Sequence, residues 1–462
     1  MVTLRSSLLP APVFIQVVLE SVIFAVSIVA GVALYNAGQP ALTINMVVPA
    51  LFFASLMVLI SAFLGVYRFE RSSRQRDFFL RKLTALFAGV PTAYLAFFLI
   101  PDSDVYQHAI GLTAFLALGG GLMLHVGLYS TSRSGLFANR ILIVGTGREA
   151  MGVKKVLSGL PLDEVQVVGV FPLDTDRAQV TAGGYSLVEE GLSLDAAALA
   201  LGVNEIVVAV REQRGGVLPL RQLVDCRLRG IRVTCLPSFY ERVCGEIPID
   251  SLKAGWLMYS DGFRQGMARR VVKRSFDSIT ALALLAVSFP IMVVTAIAIA
   301  IESSGPVLLR QERVGAGGRT FRLLKFRSMR KDAEKDGAPQ WASSHDPRIT
   351  RVGRFIRRSR IDELPQILNV LKGEMSFVGP RPERPFFVSQ LVEEIPFYGA
   401  RHSIKPGLTG WAQVRYSYGS TKEEAMRKLQ FDLYYVKNHT LLLDLLILIG
   451  TVRVVLSGQG AR

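Results

Sequence analysis

Two adjacent acidic residues, Asp362 and Glu363, follow a stretch of chain that is dense in arginine. Residues 346–360 contain six arginines and one acid. Ser359 and Asp362 have the spacing of a capping box, and Gly373 is typical of the end of a helix. The pattern therefore predicts that the two acids lie at a helix N-terminus among arginines.

Acids in such a setting suit phosphate chemistry. A helix N-terminus and guanidinium groups both favour anions, so phosphates can bind beside two carboxylates that would otherwise repel them. A carboxylate held ionised by cations can attack a phosphorus atom, and its neighbour can hold a divalent metal that bridges phosphate oxygens. The alternative is a surface helix start with solvated charges, and the spacing alone does not decide between them.

Three further motifs accompany the acids. The segment 325–330, Lys-Phe-Arg-Ser-Met-Arg, follows a predicted strand at 321–324. Arg381 stands between two prolines in Gly-Pro-Arg-Pro, an arrangement suited to a preorganised phosphate clamp. Residues 406–414 are a glycine-rich turn with Trp411, which either lines a nucleotide or sugar pocket or is a plain turn. The braced arginine favours phosphate binding over a solvated surface.

The composition indicates where this chemistry takes place. The chain has 462 residues with a net charge of +16, yet only 19% of its residues are charged and 50% are apolar. This balance excludes a disordered tail protein and argues against an ordinary soluble enzyme. It fits a membrane protein that faces anionic lipid or handles phosphates. No nucleic-acid partner is expected. Cys226, Cys235 and Cys244 are read as free thiols in a reduced compartment.

Residues 1–135 are predicted to form a four-helix transmembrane domain. The loop between the second and third apolar runs holds six basic residues, and the other two connections hold none. By the positive-inside rule, that loop and both ends of the bundle are cytoplasmic. Glu20 and His125 are ionisable residues within the runs, either functional or simply facing the bundle. The four runs, each close to the length of about 20 residues that spans a bilayer, are residues 12–35, 46–67, 83–100 and 109–130.

Residues 136–250 are predicted to be a Rossmann-like α/β domain. Gly145, Gly147 and Ala150 match the glycine pattern that follows the first strand of dinucleotide-binding folds. The acidic residue expected about 20 positions later is poorly matched by Asp174 and Asp176. The domain either binds a nucleotide through this turn or is structural or regulatory.

A fifth apolar run, residues 278–301, is predicted to re-enter the membrane without crossing it. Basic clusters flank both ends, so a spanning helix would leave one cluster outside. Pro290 would kink the helix, and Ser288 would bind a freed backbone carbonyl. Residues 440–457 carry Asp444 and Arg453, which favours an interfacial helix. Residues 251–462 are therefore read as one α/β catalytic domain on the cytoplasmic face.

These motifs together resemble the bacterial sugar transferases, the monotopic polyprenyl-phosphate phosphoglycosyl transferases. The resemblance covers residues 273–462, and the preceding helices and Rossmann-like domain are similar to the long form of the family. The ending, with Gln413-Val-Arg-Tyr-x-Tyr418-Gly and Asp432-Leu-Tyr-Tyr, is similar to exopolysaccharide enzymes of the exosortase-associated group. The motifs, in order, are Lys273-Arg-x-x-Asp277, Gly305-Pro-Val, Gln311-x-Arg-x-Gly315, Lys325-Phe-Arg-Ser-Met, Asp362-Glu-Leu-Pro-Gln, Gly379-Pro-Arg-Pro and Pro406-Gly-Leu-Thr-Gly.

The resemblance implies a reaction in the bacterial inner membrane. A sugar-1-phosphate would pass from a UDP-sugar to undecaprenyl phosphate through an aspartyl-phosphosugar intermediate, with release of UMP. Asp362 would be the nucleophile and Glu363 the Mg²⁺ ligand. This reaction would start the synthesis of an exopolysaccharide repeat unit, and a homodimer is plausible. The residues that would contact phosphate are Lys325, Arg327, Arg357 and Arg381.

Two other functions compete with this one. A membrane-anchored NAD-dependent nucleotide-sugar dehydratase needs a Tyr-x-x-x-Lys pair in its dinucleotide fold, and the one match, Tyr418 with Lys422, lies far beyond it. A non-enzymatic scaffold that senses a nucleotide through residues 145–150 leaves the arginine and acid cluster without a purpose. The sequence does not choose the sugar.

Overall fold

The computed structural model describes most of the chain. Its contacts divide the protein into two compact units, Met1–Phe239 and Tyr240–Arg462. The domain limits expected from the sequence, 1–135, 136–250 and 251–462, stay predictions. The described residues are 11–35, 47–63, 75–98, 104–133, 139–158, 165–173, 192–210, 218–252, 254–260, 262–263, 266–330, 348–416 and 421–456.

The first unit begins with four apolar helices that share one core. Small residues let the helices approach closely: a Cβ built on Gly120 of the fourth helix would lie 2.8 Å from Ile23 Cγ2 of the first. Phe53 and Met57 are almost fully buried between the helices. The helices are α1 (Ala11–Tyr35), α2 (Val47–Phe63), α3 (Gln75–Phe98) and α4 (Asp104–Arg133).

Two of these helices are long and apolar enough to cross a membrane. They contain the candidate spans Gln16–Tyr35 and Val105–Leu124. The apolar parts of α2 and α3, Val47–Ala62 and Lys82–Phe98, are shorter. The protein is thus a membrane protein, and the cytoplasmic orientation of this region stays a prediction. Arg68, Arg71 and Arg74 of the basic loop lie outside the described residues.

Glu20 faces the helix core and has a charged partner. It is 1% exposed and accepts hydrogen bonds from Lys82 Nζ at 2.8 Å and Gln16 Nε2 at 3.1 Å. Lys82 Nζ also donates to the Gly121 carbonyl at 2.9 Å. A buried charge with a close partner avoids the cost of an isolated ion, so this pair joins α1, α3 and α4. The His125 side chain lies outside the described part of the chain.

A four-stranded parallel sheet follows the helices, with strand order β2-β1-β3-β4. Strands β1 and β3 are buried in an aliphatic core. The elements are β1 (Asn139–Val144), α5 (Arg148–Leu157), β2 (Val165–Phe171), α6 (Leu194–Ala200), β3 (Glu205–Val208), α7 (Leu220–Leu228), β4 (Arg232–Cys235) and α8 (Leu236–Cys244).

The second unit holds the acidic pair and its motifs. Its two short sheets are an antiparallel hairpin, β5-β6, and a parallel pair, β7-β8. The elements are α9 (Ala254–Tyr259), α10 (Met267–Glu302), β5 (Leu308–Val314), β6 (Thr320–Phe326), α11 (Arg351–Arg358), α12 (Gln366–Lys372), β7 (Ser376–Val378), α13 (Pro385–Glu394), β8 (Gly407–Thr409), α14 (Trp411–Arg415), α15 (Lys422–Asn438) and α16 (Leu441–Leu456).

Helix α10 contains the fifth apolar run and is helical over all its 36 residues, with Pro290 inside. Its buried residues fall on one stripe that includes Ala281, Ser288 and Thr295, while most other side chains of the run are exposed. This pattern suits a helix with lipid on its outer side. Ser288 Oγ donates to Met292 Sδ at 3.8 Å, so the predicted bond to a freed carbonyl is replaced by a contact with sulfur.

Both ends of α10 contact the same unit. Near its start, Arg274 donates to the Val370 carbonyl of α12 at 2.6 Å. At its end, the Glu302 carboxylate accepts from the Arg351 amide of α11 at 2.7 Å. A straight helix rises 1.5 Å per residue, so these two ends would be about 42 Å apart. Contacts at both ends support a bend at Pro290, and the return of the helix to its starting side stays a prediction.

Asp444 of α16 is buried, although its charge suggested an interfacial helix. Its carboxylate lies 2.8 Å from Lys273 Nζ of α10 and accepts a 2.6 Å hydrogen bond from the Tyr435 hydroxyl. Lys273 also lies 3.1 Å from Asp277. The acid therefore ties α16 to α10, and its presence does not indicate a side chain in water.

Candidate active site

The two acids lie in a tight turn that precedes a helix. Asp362 and Glu363 belong to a 3₁₀ turn, Ile361–Glu363, and α12 begins at Gln366. The predicted capping box is therefore wrong: Ser359 Oγ donates to the Phe355 carbonyl at 2.8 Å instead. Gly373 ends α12 with φ +84°, as predicted.

Arg360 adopts a strained backbone just before the acids. Its φ of +60° lies in the left-handed region, which costs a non-glycine residue about 1–2 kcal/mol. The turn brings its guanidinium Nη1 to 3.3 Å from Glu363 Oε1. Strain of this kind is characteristic of functional sites, because the surrounding structure must hold it in place.

Glu363 is clamped by two arginines. Arg381 Nη2 donates to its Oε1 at 2.7 Å, and Arg360 donates to the same oxygen. Burial alone would raise the pKa of Glu363, but Arg381, Arg360 and Lys325 outweigh it and lower the pKa to about 2. These cations therefore favour the ionised form of Glu363.

Asp362 has the opposite environment. Burial, together with the charge of Glu363 beside it, raises the pKa of Asp362 to about 6, although Lys325, Arg357 and Arg360 act against the rise. Two neighbouring carboxyl groups with separated pKa values suit two different chemical roles. Asp362 is the one that changes its protonation near neutral pH.

Lys325 is the nearby amine, and Asn369 positions its strand. Burial and the charges of Arg313 and Arg357 lower the pKa of Lys325 to about 8, against the pull of the two acids. Asn369 of α12 is fully buried; its Oδ1 accepts from the Leu324 amide at 3.0 Å, and its Nδ2 donates to the Arg322 carbonyl at 2.8 Å. These bonds fasten α12 to β6. Sequence reasoning missed Asn369, whose one signal is an amide within an apolar helix.

The loop that carries Arg381 packs on the glycine-rich turn. The Gly379 amide donates to the Thr409 carbonyl at 2.9 Å, and the Gly407 amide donates to the Pro380 carbonyl at 3.0 Å. Any Cβ on Gly407 would collide with Gly379, so the close approach of these two segments requires glycine. The two motifs therefore form one scaffold under Arg381.

The contacts of Trp411 within the protein explain this residue without a role in sugar binding. Its Nε1 donates to the Gly245 carbonyl at 2.7 Å, and its ring stacks on Tyr434 with centroids 5.8 Å apart. Of the two alternatives left open by the sequence, a scaffolding turn is the one that these contacts favour.

Arg401 holds the backbone of Arg381 in place, and the sequence analysis did not identify this residue. Its Nη2 donates to the Arg381 carbonyl at 2.9 Å and lies 2.7 Å from the buried carboxylate of Asp432. Its Nη1 donates to the Tyr398 hydroxyl at 2.8 Å. A guanidinium can serve these partners together because its donors form a rigid planar fork. No local pattern marks Arg401 among the many arginines of the chain.

Arg327 lies in another environment from that of Lys325. It is 8% exposed, and its Nη2 donates to the carbonyl and the hydroxyl of Ser303 at 2.7 and 2.8 Å. These bonds hold the turn that follows α10. A phosphate contact by Arg327 stays a prediction, and the structure gives this residue a role in positioning that turn.

The acids fit a magnesium ion that is shared with a substrate. Within the described ranges, no group of three or more His, Cys, Asp or Glu side chains forms a protein-only metal site. Mg²⁺ commonly binds one or two carboxylates and takes its other ligands from phosphates and water. Glu363, which accepts from both Arg360 and Arg381, is the acid that would hold such an ion.

Packing explains Gly145 of the first unit, whereas a side chain at Gly147 would make only an ordinary contact. Gly145 has φ +108°, and a Cβ there would lie 2.9 Å from the Ala209 carbonyl. Gly147 precedes α5, and a Cβ there would lie 3.4 Å from Glu149 Oε2. Ala150 is buried in α5. Nucleotide binding here stays a prediction; Asp174, Asp176 and Tyr418 lie outside the described residues.

Comparisons with known proteins identify the second unit. The sequence model of the family described as bacterial sugar transferase matches residues 268–458. A UDP-N-acetylgalactosamine-undecaprenyl-phosphate N-acetylgalactosaminephosphotransferase of Aeromonas hydrophila is 44% identical over 245 residues, which are 52% of this chain and 56% of that protein.

Two further relatives align over a longer part of the chain. A UDP-glucose:undecaprenyl-phosphate glucose-1-phosphate transferase of Xanthomonas campestris pv. campestris is 34% identical over 343 residues, 71% of this chain and 68% of that protein. An undecaprenyl-phosphate glucose phosphotransferase of Komagataeibacter xylinus is 32% identical over 343 residues, 71% of this chain and 60% of that protein. The chain thus spans a little over half to about two thirds of these relatives.

Proposed function

The chain belongs to the bacterial sugar transferases of the polyprenyl-phosphate phosphoglycosyl transferase type, and on that premise we propose that it transfers a sugar-1-phosphate from a UDP-sugar to undecaprenyl phosphate. The observation that carries the proposal is the placement of the two adjacent acids among cations: Arg381 and Arg360 donate to Glu363 at 2.7 and 3.3 Å. These arginines hold the pKa of Glu363 low, while burial and the charge of Glu363 raise the pKa of Asp362.

In the first step, a carboxylate oxygen of Asp362 forms a bond to the phosphorus that bears the sugar. The bond from that phosphorus to the bridging oxygen breaks, and UMP leaves with the electron pair. Lys325, Arg357 and Arg381 would stabilise the phosphate oxygens as charge develops on them. Mg²⁺, held through Glu363, would neutralise the phosphates of the bound substrate.

In the second step, a phosphate oxygen of undecaprenyl phosphate attacks the same phosphorus. The bond to Asp362 breaks, the carboxylate is restored and undecaprenyl-diphospho-sugar is released. Nothing in the described part of the chain favours the dehydratase or the nucleotide-sensing scaffold, since packing explains Gly145 and Lys422 pairs with Glu394 at 3.0 Å.

The proposal is tested by UMP release from the purified protein with Mg²⁺ and undecaprenyl phosphate. UDP-glucose, UDP-galactose and UDP-N-acetylgalactosamine are the donors to compare, because relatives are named for glucose and N-acetylgalactosamine. UMP from one donor, with turnover that requires the lipid, is the expected result. No UMP from any UDP-sugar, with folded protein, would contradict the proposal.

We also propose that α10 is re-entrant, with the second unit on the cytoplasmic face of the inner membrane. The contacts at both ends of α10 support this arrangement. Gly266→Cys and Ser304→Cys, each in a chain without Cys226, Cys235 and Cys244, should react with an impermeant thiol reagent from the same side. Reaction from opposite sides would show that α10 spans. We propose in addition a homodimer, as the resemblance to the long form of the family implies, and mass photometry of the detergent-solubilised protein would test it.

The activity should follow the ionisation of Asp362. Its pKa of about 6 predicts that kcat/KM rises with pH up to about 6, because only the carboxylate attacks phosphorus. A fall above about 8 is expected as Lys325 loses its proton. Rates of UMP release across this range measure both limbs. An acidic limb near pH 4 would contradict the environment assigned to Asp362.

Arg401 should affect kcat because it positions Arg381. Arg401→Lys keeps the charge beside Asp432 but cannot also bind the Arg381 carbonyl and Tyr398, so kcat should fall about 10- to 100-fold, as for other small displacements of a catalytic group. Tyr398→Phe removes one partner only and should stay within about threefold of the parent. Wild-type kcat in Arg401→Lys, with unchanged thermal stability, would remove this positioning role.

A further inference from the structure

Helix α11 has an outer face that the transfer reaction does not use. Arg351, Arg354, Phe355 and Arg358 are all exposed, and their spacing of three and four residues places them on one side of the helix. Phe355 is 67% exposed, a large apolar surface for a side chain between guanidinium groups. No acidic residue occurs within the helix. These four residues are called the outer face of α11.

The opposite side of α11 is packed on the membrane helix. Ile356 forms a buried cluster with Ile299 of α10 and Phe326 of β6. Arg357 also belongs to α11 and is half-buried, and its positive charge lowers the pKa of Asp362. One side of this helix therefore faces the site and α10, and the other is open.

The start of α11 lies at the end of the apolar run. The Glu302 carboxylate, from the last residue of α10, accepts from the amides of Arg351 at 2.7 Å and Val352 at 3.2 Å. Ile301, immediately before it, is 82% exposed, which suits a side chain in lipid. The outer face of α11 therefore begins where the hydrocarbon-facing part of α10 stops.

We propose that the outer face of α11 docks on the anionic phospholipid headgroups of the membrane that receives α10. Its three guanidiniums match lipid phosphates, and Phe355 matches the boundary between headgroups and acyl chains. Continuity with α10 selects a lipid surface over a protein partner or a nucleic acid. The docked helix would hold Arg357 at the membrane surface. The docking does not depend on the sugar-phosphate transfer.

The test places a fluorescent probe at position 355. Phe355→Cys is labelled in a full-length chain without Cys226, Cys235 and Cys244, and the protein is reconstituted in nanodiscs that contain lipids with a quencher below the headgroup. With phosphatidylglycerol present, the probe should be strongly quenched. Replacing Arg351, Arg354 and Arg358 by Gln should reduce the quenching at least about threefold, since each arginine near an anionic surface favours docking about fivefold.

A matched variant controls for the loss of charge. Arg310, Arg319 and Arg322 of the β5-β6 hairpin are exposed, and replacing these three by Gln removes the same charge from another surface. This control should keep the parental quenching. Equal quenching in both triple variants, or a probe that is unquenched in the parent protein, would overturn the docking. UMP release measured on the same samples reports transfer separately, so the two proposals fail independently.

Discussion

Replacement of Asp362 by Asn should abolish turnover while leaving the fold intact. The amide cannot supply the oxygen nucleophile, and loss of a covalent nucleophile typically lowers kcat by at least about 10³-fold. UMP release by the purified variant, with the UDP-sugar that the parent accepts, measures the loss. A donor labelled in its sugar phosphate should label the parent chain and leave Asp362→Asn unlabelled.

The stability of this variant provides its control. Burial and Glu363 raise the pKa of Asp362 from its ordinary value to about 6, so the ionised form is disfavoured in the folded protein. The cost to stability develops as the pH rises between these two values and is fully present at pH 8. Asp362→Asn should therefore melt at the same or a higher temperature than the parent at pH 8. Near-normal turnover in this variant would refute the covalent mechanism. A lower melting temperature would contradict the environment assigned to the carboxyl group.

Replacement of Arg381 by Gln should have the second-largest effect. Arg381 donates the 2.7 Å bond to Glu363 and is the foremost of the cations that keep the pKa of that acid at about 2. Its loss removes a phosphate contact and lets the pKa of Glu363 rise. A fall in kcat/KM of about 10²- to 10³-fold is expected, comparable to the removal of one transition-state donor in other enzymes.

The pH profile separates this role from a general loss of charge. In Arg381→Gln the acidic limb should move to higher pH and become steeper, because Glu363 must then lose its proton as well. Arg319→Gln, which removes an exposed positive charge from the β5-β6 hairpin, should retain activity within about twofold. An unchanged acidic limb in Arg381→Gln would show that Arg381 does not set the ionisation of Glu363.

Several features of the site follow from short stretches of sequence. Gly373 ends α12 because its backbone needs a positive φ, and the strand predicted before Lys325 is present as β6. The prediction from the local sequence was wrong at Ser359, where the spacing to Asp362 suggested a helix capping box. The left-handed Arg360 redirects the chain there, and the acids fall in a 3₁₀ turn instead of a helix start. A backbone conformation of this kind is imposed by its surroundings and leaves no sequence pattern.

The sequence by itself determined that this is a membrane protein with an arginine-rich pair of acids and a proline-braced Arg381. Apolar runs, charge clusters and short motifs are local, and each acts within a few residues along the chain. Only the tertiary structure decided which cations meet which acid, and that Arg401 and Asn369 hold the site. Pairings between remote segments depend on how these segments pack. The different pKa values of Asp362 and Glu363 arise because burial and charge act over distances in space and not along the sequence.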